Sequence, residues 1–279
     1  MEELYQKLSE STVPTASIVC MTVTVVLTVA MPALLALYLK KKYDCNLKAL
    51  LVGALTFMVF ARIVEATVHQ VVLKTSLGDA INGNMLFYGL YGGIMAAIFE
   101  EVGRLLVMKT ALKDCYDNDK NSLMFGVGHG GMECILILGL PMISCIVYSK
   151  QINEGGLEPI YQLIKTLPEE QAMASLQSLL PLVEQAPTSF LLGMIERIPA
   201  LAIHMALSVL VWKTVRENRY LFFGLALLFH FLVDFLSVMV TTVTTSVFLI
   251  EAAIYVFAII VVAITYFLCK KSKTDYLIG

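Results

Sequence analysis

Two adjacent carboxylates, Glu100 and Glu101, lie inside the long apolar stretch MLFYGLYGGIMAAIFEEVGRLLVMK, and Arg104 follows three residues later. Charge in hydrocarbon is costly, so an ionisable pair there needs partners, water or a neutralising proton. Two neighbouring carboxylates also compete for ionisation, and we expect one of them to keep its proton near neutral pH. Such a pair is suited to general acid–base chemistry in a place where water is scarce.

Besides His69 in the second apolar segment, three other apolar segments carry a histidine, and two of these three histidines have a carboxylate one helical turn away. His129 and Glu133 are spaced i,i+4, as are His230 and Asp234, so each pair shares one helix face. We expect each carboxylate to bond its own imidazole, which fixes the tautomer and raises the basicity of the other ring nitrogen. His204 is the third of these histidines.

The composition predicts an integral membrane protein of the multi-pass kind, located in the cell membrane. The 279 residues are 58% hydrophobic and only 15% charged, whereas a soluble domain carries about 25% charged residues. We predict an all-α bundle of about seven transmembrane helices, since a helix needs about 20 apolar residues to cross a bilayer. The predicted spans are 16–39, 49–73, 85–109, 121–148, 189–213, 220–242 and 246–269.

The loops alternate in charge along the chain. Basic residues follow the first, third, fifth and seventh spans: Lys40, Lys41, Lys42, Lys48; Lys109, Lys113, Lys120; Lys213, Arg216, Arg219; Lys270, Lys271 and Lys273. The other loops and the N-terminus are neutral or acidic. By the positive-inside rule, the N-terminus lies outside and the C-terminus is cytoplasmic. No basic cluster suggests binding to nucleic acid.

The connection 150–188 differs from the other loops. It is rich in glutamate and carries Leu and Ile at helical spacing, which is typical of an amphipathic helical cap lying on a membrane surface. We place this cap on the outer face. No internal repeat is evident, and we predict a single membrane domain over 1–279.

The ionisable groups of four consecutive spans lie at a similar depth. Counted from the cytoplasmic end at ~1.5 Å per residue, the glutamate pair and the three histidines lie roughly 12–15 Å into their spans, with Glu133 and Asp234 about one turn deeper. Four glycines flank His129 in GVGHGGME, which allows a neighbouring helix or an extended substrate to come close. Each pair taken alone could be structural, as we also expect for Glu196–Arg197. For Arg62, Glu65 and His69, still nearer the outer face, we expect a structural or access role.

Four motifs in this order resemble the YhfC-type membrane peptidases: EEVGR (100–104), GVGHGGME (126–133), ERIPALAIH (196–204) and HFLVD (230–234). These peptidases belong to the wider superfamily of CAAX-processing endopeptidases, Abi proteins and PrsW-type proteases. The resemblance extends from about residue 50 to about residue 240. It implies an intramembrane peptidase whose substrate is a membrane-embedded or lipidated protein or peptide.

The resemblance also implies roles for the residues. Glu100 or Glu101 would be the general base for water, with Arg104 tuning which of the two is ionised. His204 and His230 would bind that water or the oxyanion, and Asp234 would orient His230. His129 and Glu133 align with the second motif of the PrsW-like branch.

The requirement for a metal is left open by the sequence. A glutamate-type mechanism without a cofactor is the leading prediction, because no HExxH motif is present. Zinc or another divalent metal is the alternative, held by His129, His204, His230 and Glu101.

Two other functions compete with the peptidase: a proton- or cation-coupled transporter, and a non-catalytic membrane scaffold or immunity protein. The oligomeric state and the substrate are not predicted.

Overall fold

The computed structural model describes the backbone of residues 1–275 and the side chains of residues 1–270, so the predictions for the side chains of Lys271 and Lys273 lie outside the described residues. The described chain is helical and contains no strand, which confirms the all-α prediction. The α-helices are α1 Glu2–Ser9, α2 Thr15–Tyr43, α3 Leu47–Thr56, α4 Ala66–Val72, α5 Ser76–Asn82, α6 Met85–Thr110, α7 Asn121–Cys134, α8 Leu140–Asn153, α9 Glu158–Ile164, α10 Glu169–Gln177, α11 Leu180–Glu184, α12 Leu192–Glu217, α13 Leu221–Val243 and α14 Val247–Asp275.

Six helical stretches within the described residues are long and apolar enough to cross a membrane. They are Thr15–Tyr43, Leu47–Val72, Asn121–Asn153, Pro187–Glu217, Leu221–Val243 and Val247–Lys270. The remaining predicted span, 85–109, forms the 26-residue helix α6. Its apolar sequence is interrupted by Glu100, Glu101 and Arg104. The protein is therefore a multi-pass helical membrane protein, and its orientation in the membrane stays a prediction.

Asparagine side chains cap the first turns of two of these helices. The Asn46 side chain accepts a hydrogen bond from the backbone N–H of Lys48 at 2.9 Å, and Asn84 does the same for Leu86 at 2.9 Å. Such caps satisfy backbone N–H groups that have no partner in the first turn of a helix. These caps fix the residue at which α3 and α6 begin. The first residue of α6 in turn fixes how far along the helix its polar residues lie.

Two π-helical segments interrupt the long helices. Phe57–Glu65 joins α3 to α4, and Ile135–Gly139 joins α7 to α8. In the first segment the buried residues are Phe57, Ala61 and Glu65, four residues apart. The wider turn of a π-helix keeps such residues on one face, and π-segments recur at functional sites.

The chain divides into two compact units. One comprises Met1–Ala30 and Cys134–Ile195, and the other comprises Met31–Glu133 and Glu196–Gly279. Each has a hydrophobic core of its own, represented by Leu176 and Leu182 in the first and by Leu207 and Leu210 in the second. All predicted site residues lie in the second unit. The single-domain assignment stays a prediction.

The acidic connection 150–188 forms the short helices α9, α10 and α11. Its apolar residues Ile164, Leu176 and Leu182 are buried in the core of the first unit. Tyr161 donates a hydrogen bond to Glu2 at 2.7 Å, and this bond raises the pKa of Tyr161 to about 12, with burial adding to the shift. The helical character of this connection follows the amphipathic pattern of its sequence.

Candidate active site

Helix α6 places three charged side chains in the interior. Glu101 and Arg104 are fully buried, and Glu100 is 6% exposed. Arg104 donates to Glu101 through Nη1 and to Oε2 of Glu100 through Nη2 at 3.3 Å. The i,i+3 and i,i+4 spacing on one helix brings both carboxylates to one guanidinium. Arg104 therefore contacts both members of the pair, where the sequence predicted that it would favour one.

His129 on α7 is fully buried, and its carboxylate partner is Glu100. Nε2 of His129 lies 2.8 Å from Oε2 of Glu100. The ring of Phe57 meets the imidazole edge-on, with 5.3 Å between the centroids. The expected bond from His129 to Glu133 on its own helix is therefore wrong, because tertiary packing supplies a carboxylate from α6 instead.

His204 on α12 bonds to residues of two other helices. Its Nδ1 lies 2.6 Å from Nη2 of Arg104, and its Nε2 contacts Oε2 of Glu133. A guanidinium can only donate, so Nδ1 is the acceptor and Nε2 carries the hydrogen. Arg197 holds Glu133 from its other side through a bond of 2.7 Å. Glu133 therefore orients His204.

His230 on α13 lies among three carboxylates. Its Nδ1 is 2.6 Å from Oε1 of Glu101, which is a hydrogen bond. Its Nε2 is 3.8 Å from Glu100 and 3.5 Å from Asp234. Asp234 was expected to bond His230; it lies nearby, but the orienting bond comes from Glu101. Oδ2 of Asp234 is buried and has no hydrogen-bond partner among the described residues.

The contacts above join all eight predicted site residues into one network. The network draws on α6, α7, α12 and α13, and its members are Glu100, Glu101, Arg104, His129, Glu133, His204, His230 and Asp234. The structure brings these residues together as the depth count predicted. Their individual catalytic roles stay predictions.

Small residues allow the helices around His129 to come into contact. A Cβ on Gly128 would lie 2.0 Å from the carbonyl oxygen of Leu50 on α3. A Cβ on Gly126 would lie 2.5 Å from Cα of Met205 on α12. Backbones can approach this closely only where a glycine faces the neighbour. The glycines of GVGHGGME therefore serve helix packing, one of the two uses that the sequence suggested.

Three residues of the network could hold a metal ion. One ligand atom from each of Glu100, His129 and His204 lies within 4.8 Å of the other two. Two imidazoles and a carboxylate are a donor set that catalytic zinc sites use. The sequence had proposed Glu101 and His230 as ligands in addition to the two histidines. Here Glu100 supplies the carboxylate, and Glu101 and His230 bond each other.

Two observations on this cluster are consistent with a bound cation. His129 directs Nε2 to Glu100, and its buried Nδ1 has no hydrogen-bond partner among the described residues. The network also contains four carboxylates, whereas Arg104 and Arg197 supply two guanidiniums. Buried negative charge needs compensation by protons or cations. The donor set therefore fits a divalent metal in type, although Arg104 bonds Nδ1 of His204 in this structure.

Arg197 lies closer to the site than the sequence suggested, and Glu65 forms a separate set of contacts with His69 and Tyr91. Arg197 was assigned to a structural network near the outer face, yet it contacts Glu133 directly. Glu65, at the end of the π-segment, is 3.1 Å from His69, whose other nitrogen is 2.8 Å from the hydroxyl of Tyr91. The sequence could have indicated this position for Arg197. Arg197 and His204 are seven residues, or about two helical turns, apart, so they share one face of α12.

Comparison with known proteins gives two matches of high coverage. A family model described as YhfC intramembrane metalloprotease matches residues 27–256, a range that includes all eight network residues. The chain is also 41% identical over 201 residues to the protein named "Uncharacterized membrane protein YhfC" of Bacillus subtilis (strain 168). The aligned part is 72% of this chain and 76% of that relative. No solved structure matches.

Proposed function

Since the chain belongs to the YhfC intramembrane metalloprotease family, we propose that it is an intramembrane endopeptidase. It hydrolyses a peptide bond of a membrane-embedded or lipidated substrate. The observation that carries the proposal is the network of eight ionisable residues on four helices of a multi-pass membrane protein. Ionisable residues inside membrane helices mark functional sites by default, because their burial is costly.

In this proposal Glu100, His129 and His204 hold a divalent metal. When bound, such a cation acidifies water and polarises the scissile carbonyl. Glu133 contacts Nε2 of His204 and is held by Arg197, and a carboxylate in this position would set the tautomer of a ligating histidine. Nδ1 of His204 accepts from Arg104 in this structure, so the guanidinium and the metal are competitors at that nitrogen.

Glu101, His230 and Asp234 donate, accept or orient protons in this proposal. Glu101 bonds Nδ1 of His230 and thereby directs Nε2 toward the space bounded by Glu100 and Asp234. Because Nδ1–H of His230 donates to Glu101, Nε2 carries a hydrogen only in the doubly protonated imidazolium, and in that form it would donate to the oxyanion that forms when water attacks the carbonyl. Oδ2 of Asp234, which has no hydrogen-bond partner among the described residues, accepts the proton of the attacking water and returns it to the leaving nitrogen.

The glutamate-type mechanism from the sequence is the competing proposal. It makes Glu100 or Glu101 the general base, with Arg104 tuning which of the two is ionised, and requires no metal. Membership of the CAAX, Abi and PrsW superfamily is likewise a proposal, based on the motif order. The two mechanisms differ in what Glu100 does, and this difference can be measured.

The test uses the full chain purified in detergent, with peptide cleavage and bound metal measured on the same samples. Substrates come from a comparison of new peptide termini in cells that express the wild type or His230→Ala. We expect Asp234→Asn to lose cleavage and keep its metal, and Glu100→Gln to lose both. Glu169→Gln, on the exposed first turn of α10, is the control and should change neither property.

Each other outcome selects against the proposal. Cleavage that persists after strong chelators remove all metal, and that is lost on Glu100→Gln, would support the glutamate-type mechanism. Normal cleavage by both Glu100→Gln and Asp234→Asn would remove the catalytic assignment. Uptake of a cation or solute by liposomes containing the protein, with no cleavage of any peptide, would support the transporter. Absence of both activities would support the scaffold.

A further inference from the structure

A groove of about 560 Å³ opens in the second unit between α12, α14 and the start of α7. Residues three or four positions apart on the two long helices form its walls. Ala202, Met205, Ala206 and Val209 contribute from α12, and Val262, Thr265, Tyr266 and Cys269 from α14. None of the eight network residues lines it. The groove is therefore separate from the candidate active site, and its size is typical of ligand pockets.

One end of the groove is basic. Lys120, Lys213, Arg216 and Lys270 line it there, against the two carboxylates of Asp119 and Glu217. Arg216 is partly exposed and lies 3.6 Å from Asp119, so the two charges form only a loose pair. The lining thus combines apolar walls with an excess of positive charge at one end. The charge pattern of the loops predicts that this end faces the cytoplasm. Basic pockets between membrane helices on the cytoplasmic side bind the headgroups of anionic lipids.

A buried hydroxyl lies deeper in the groove. Thr265 is 5% exposed, and its Oγ1 has no hydrogen-bond partner among the described residues. A buried hydroxyl without a partner costs free energy, which a ligand carrying an acceptor would recover. Thr265 precedes Lys270 by five residues, so it lies about 7.5 Å further along the helix axis. An acceptor bound there would belong to the part of the ligand just below its charged group.

We propose that this groove binds one anionic phospholipid. Its phosphate lies among the basic side chains at the open end, an ester carbonyl accepts from Thr265, and an acyl chain follows the apolar walls between α12 and α14. A free anion would use only the basic end, and a neutral lipid only the walls. An anionic glycerophospholipid has all three parts in the required order: charge, acceptor and hydrocarbon.

The chain contains a reporter at this site. Trp212 is the only tryptophan of the protein and lines the groove, where its Nε1 donates to Asp119 at 3.0 Å. A lipid brominated on its acyl chain quenches tryptophan fluorescence on close approach. The experiment titrates the full chain in detergent with brominated phosphatidylglycerol and with brominated phosphatidylcholine. We expect saturable quenching with at least tenfold tighter binding of phosphatidylglycerol.

Three variants separate the contributions of the basic residues, the apolar walls and the Thr265 hydroxyl to lipid binding. Lys213→Gln combined with Arg216→Gln should reduce the preference for phosphatidylglycerol by tenfold or more, because it removes the excess charge. Val209→Phe should abolish saturable quenching by filling the apolar part. Thr265→Val, which keeps the shape, should weaken binding severalfold. Lys41→Gln combined with Lys113→Gln removes two charges outside the groove and should bind like the wild type.

The proposal fails on several outcomes. Equal quenching by both brominated lipids that Val209→Phe leaves unchanged would mean contact with bulk lipid only. Inorganic phosphate that competes as well as phosphatidylglycerol would reduce the site to one for free anions. A membrane-spanning peptide that displaces the lipid at lower concentration than phosphatidylglycerol itself would make the groove a peptide site. Circular dichroism of each variant shows that it is folded.

Discussion

Nη2 of Arg104 lies 2.6 Å from Nδ1 of His204, although 100 residues separate the two in sequence. Since a guanidinium donates and never accepts, this contact makes His204 the tautomer with hydrogen on Nε2, and that hydrogen faces Glu133. Arg104 thus contacts a proposed metal ligand as well as Glu100 and Glu101. Its role extends beyond the tuning of one carboxylate.

Replacement of Arg104 by Lys should be strongly destabilising. A lysine keeps the charge but cannot make the forked bonds to both carboxylates and the imidazole, and each buried acceptor left without a donor costs about 1–3 kcal/mol. Thermal unfolding in detergent measures the loss. Arg62→Lys, on the first π-segment and outside the network, is the matched control and should leave the melting temperature nearly unchanged.

The tautomer of His204 can be observed directly. The chain has only four histidines, so the imidazole nitrogens of ¹⁵N-histidine-labelled protein can be assigned by removing each histidine in turn. We expect His204 to show a protonated Nε2 and an acceptor Nδ1. The opposite tautomer would rule out the Arg104–His204 bond as described.

Arg197 is expected to act as a positioning residue through Glu133. Arg197→Gln removes the 2.7 Å bond that holds this carboxylate, and loss of such an outer partner typically costs about 10–100-fold in metal affinity or activity. Arg197→Lys should restore part of the loss. Metal affinity is the decisive measurement, because a merely structural role would lower stability and leave the affinity of the folded protein unchanged.

Close helix packing at His129 can be tested with a pair of glycines. Gly128→Ala would place Cβ 2.0 Å from the oxygen of Leu50, whereas a Cβ at Gly92 meets nothing within 4 Å. We expect Gly128→Ala to destabilise by about 1–3 kcal/mol or more through overpacking. Gly92→Ala should be neutral or stabilise by up to about 1 kcal/mol, because alanine favours a helix. Similar effects of both would contradict the packing described.

The raised pKa of Tyr161 predicts a stability change at high pH. The bond to Glu2 stabilises the neutral phenol and raises its pKa from 10.0 to about 12 in the folded state. Its contribution is therefore complete below pH 10 and is lost as the pH rises toward about 12. The difference between wild type and Tyr161→Phe in a spectrophotometric tyrosinate titration isolates this group. Glu2→Gln should move its midpoint back toward 10.

The sequence predicted two pairs within single helices, His230 with Asp234 and His129 with Glu133, and the structure brings only the first pair together. The i,i+4 rule correctly placed Asp234 near His230, and the same rule failed for His129 and Glu133. The rule describes which residues share a helix face, and it contains no information about carboxylates that arrive from another helix. Glu100 reaches His129 from α6, and Glu133 is left to bond His204 of α12.

Composition and hydrophobic runs alone determined that this protein is a multi-pass helical bundle, because a charge-poor chain with runs of about 20 apolar residues has no other stable form in lipid. They also identified the eight residues, since ionisable groups in hydrocarbon are rare enough to stand out. Only the tertiary structure decided which groups pair. The paired glutamates are equivalent in sequence, yet Glu101 is fully buried between Arg104 and His230, while Glu100 joins His129 at the possible metal site. That difference arises from how the four helices pack, which residue types and spacing within a single helix do not specify.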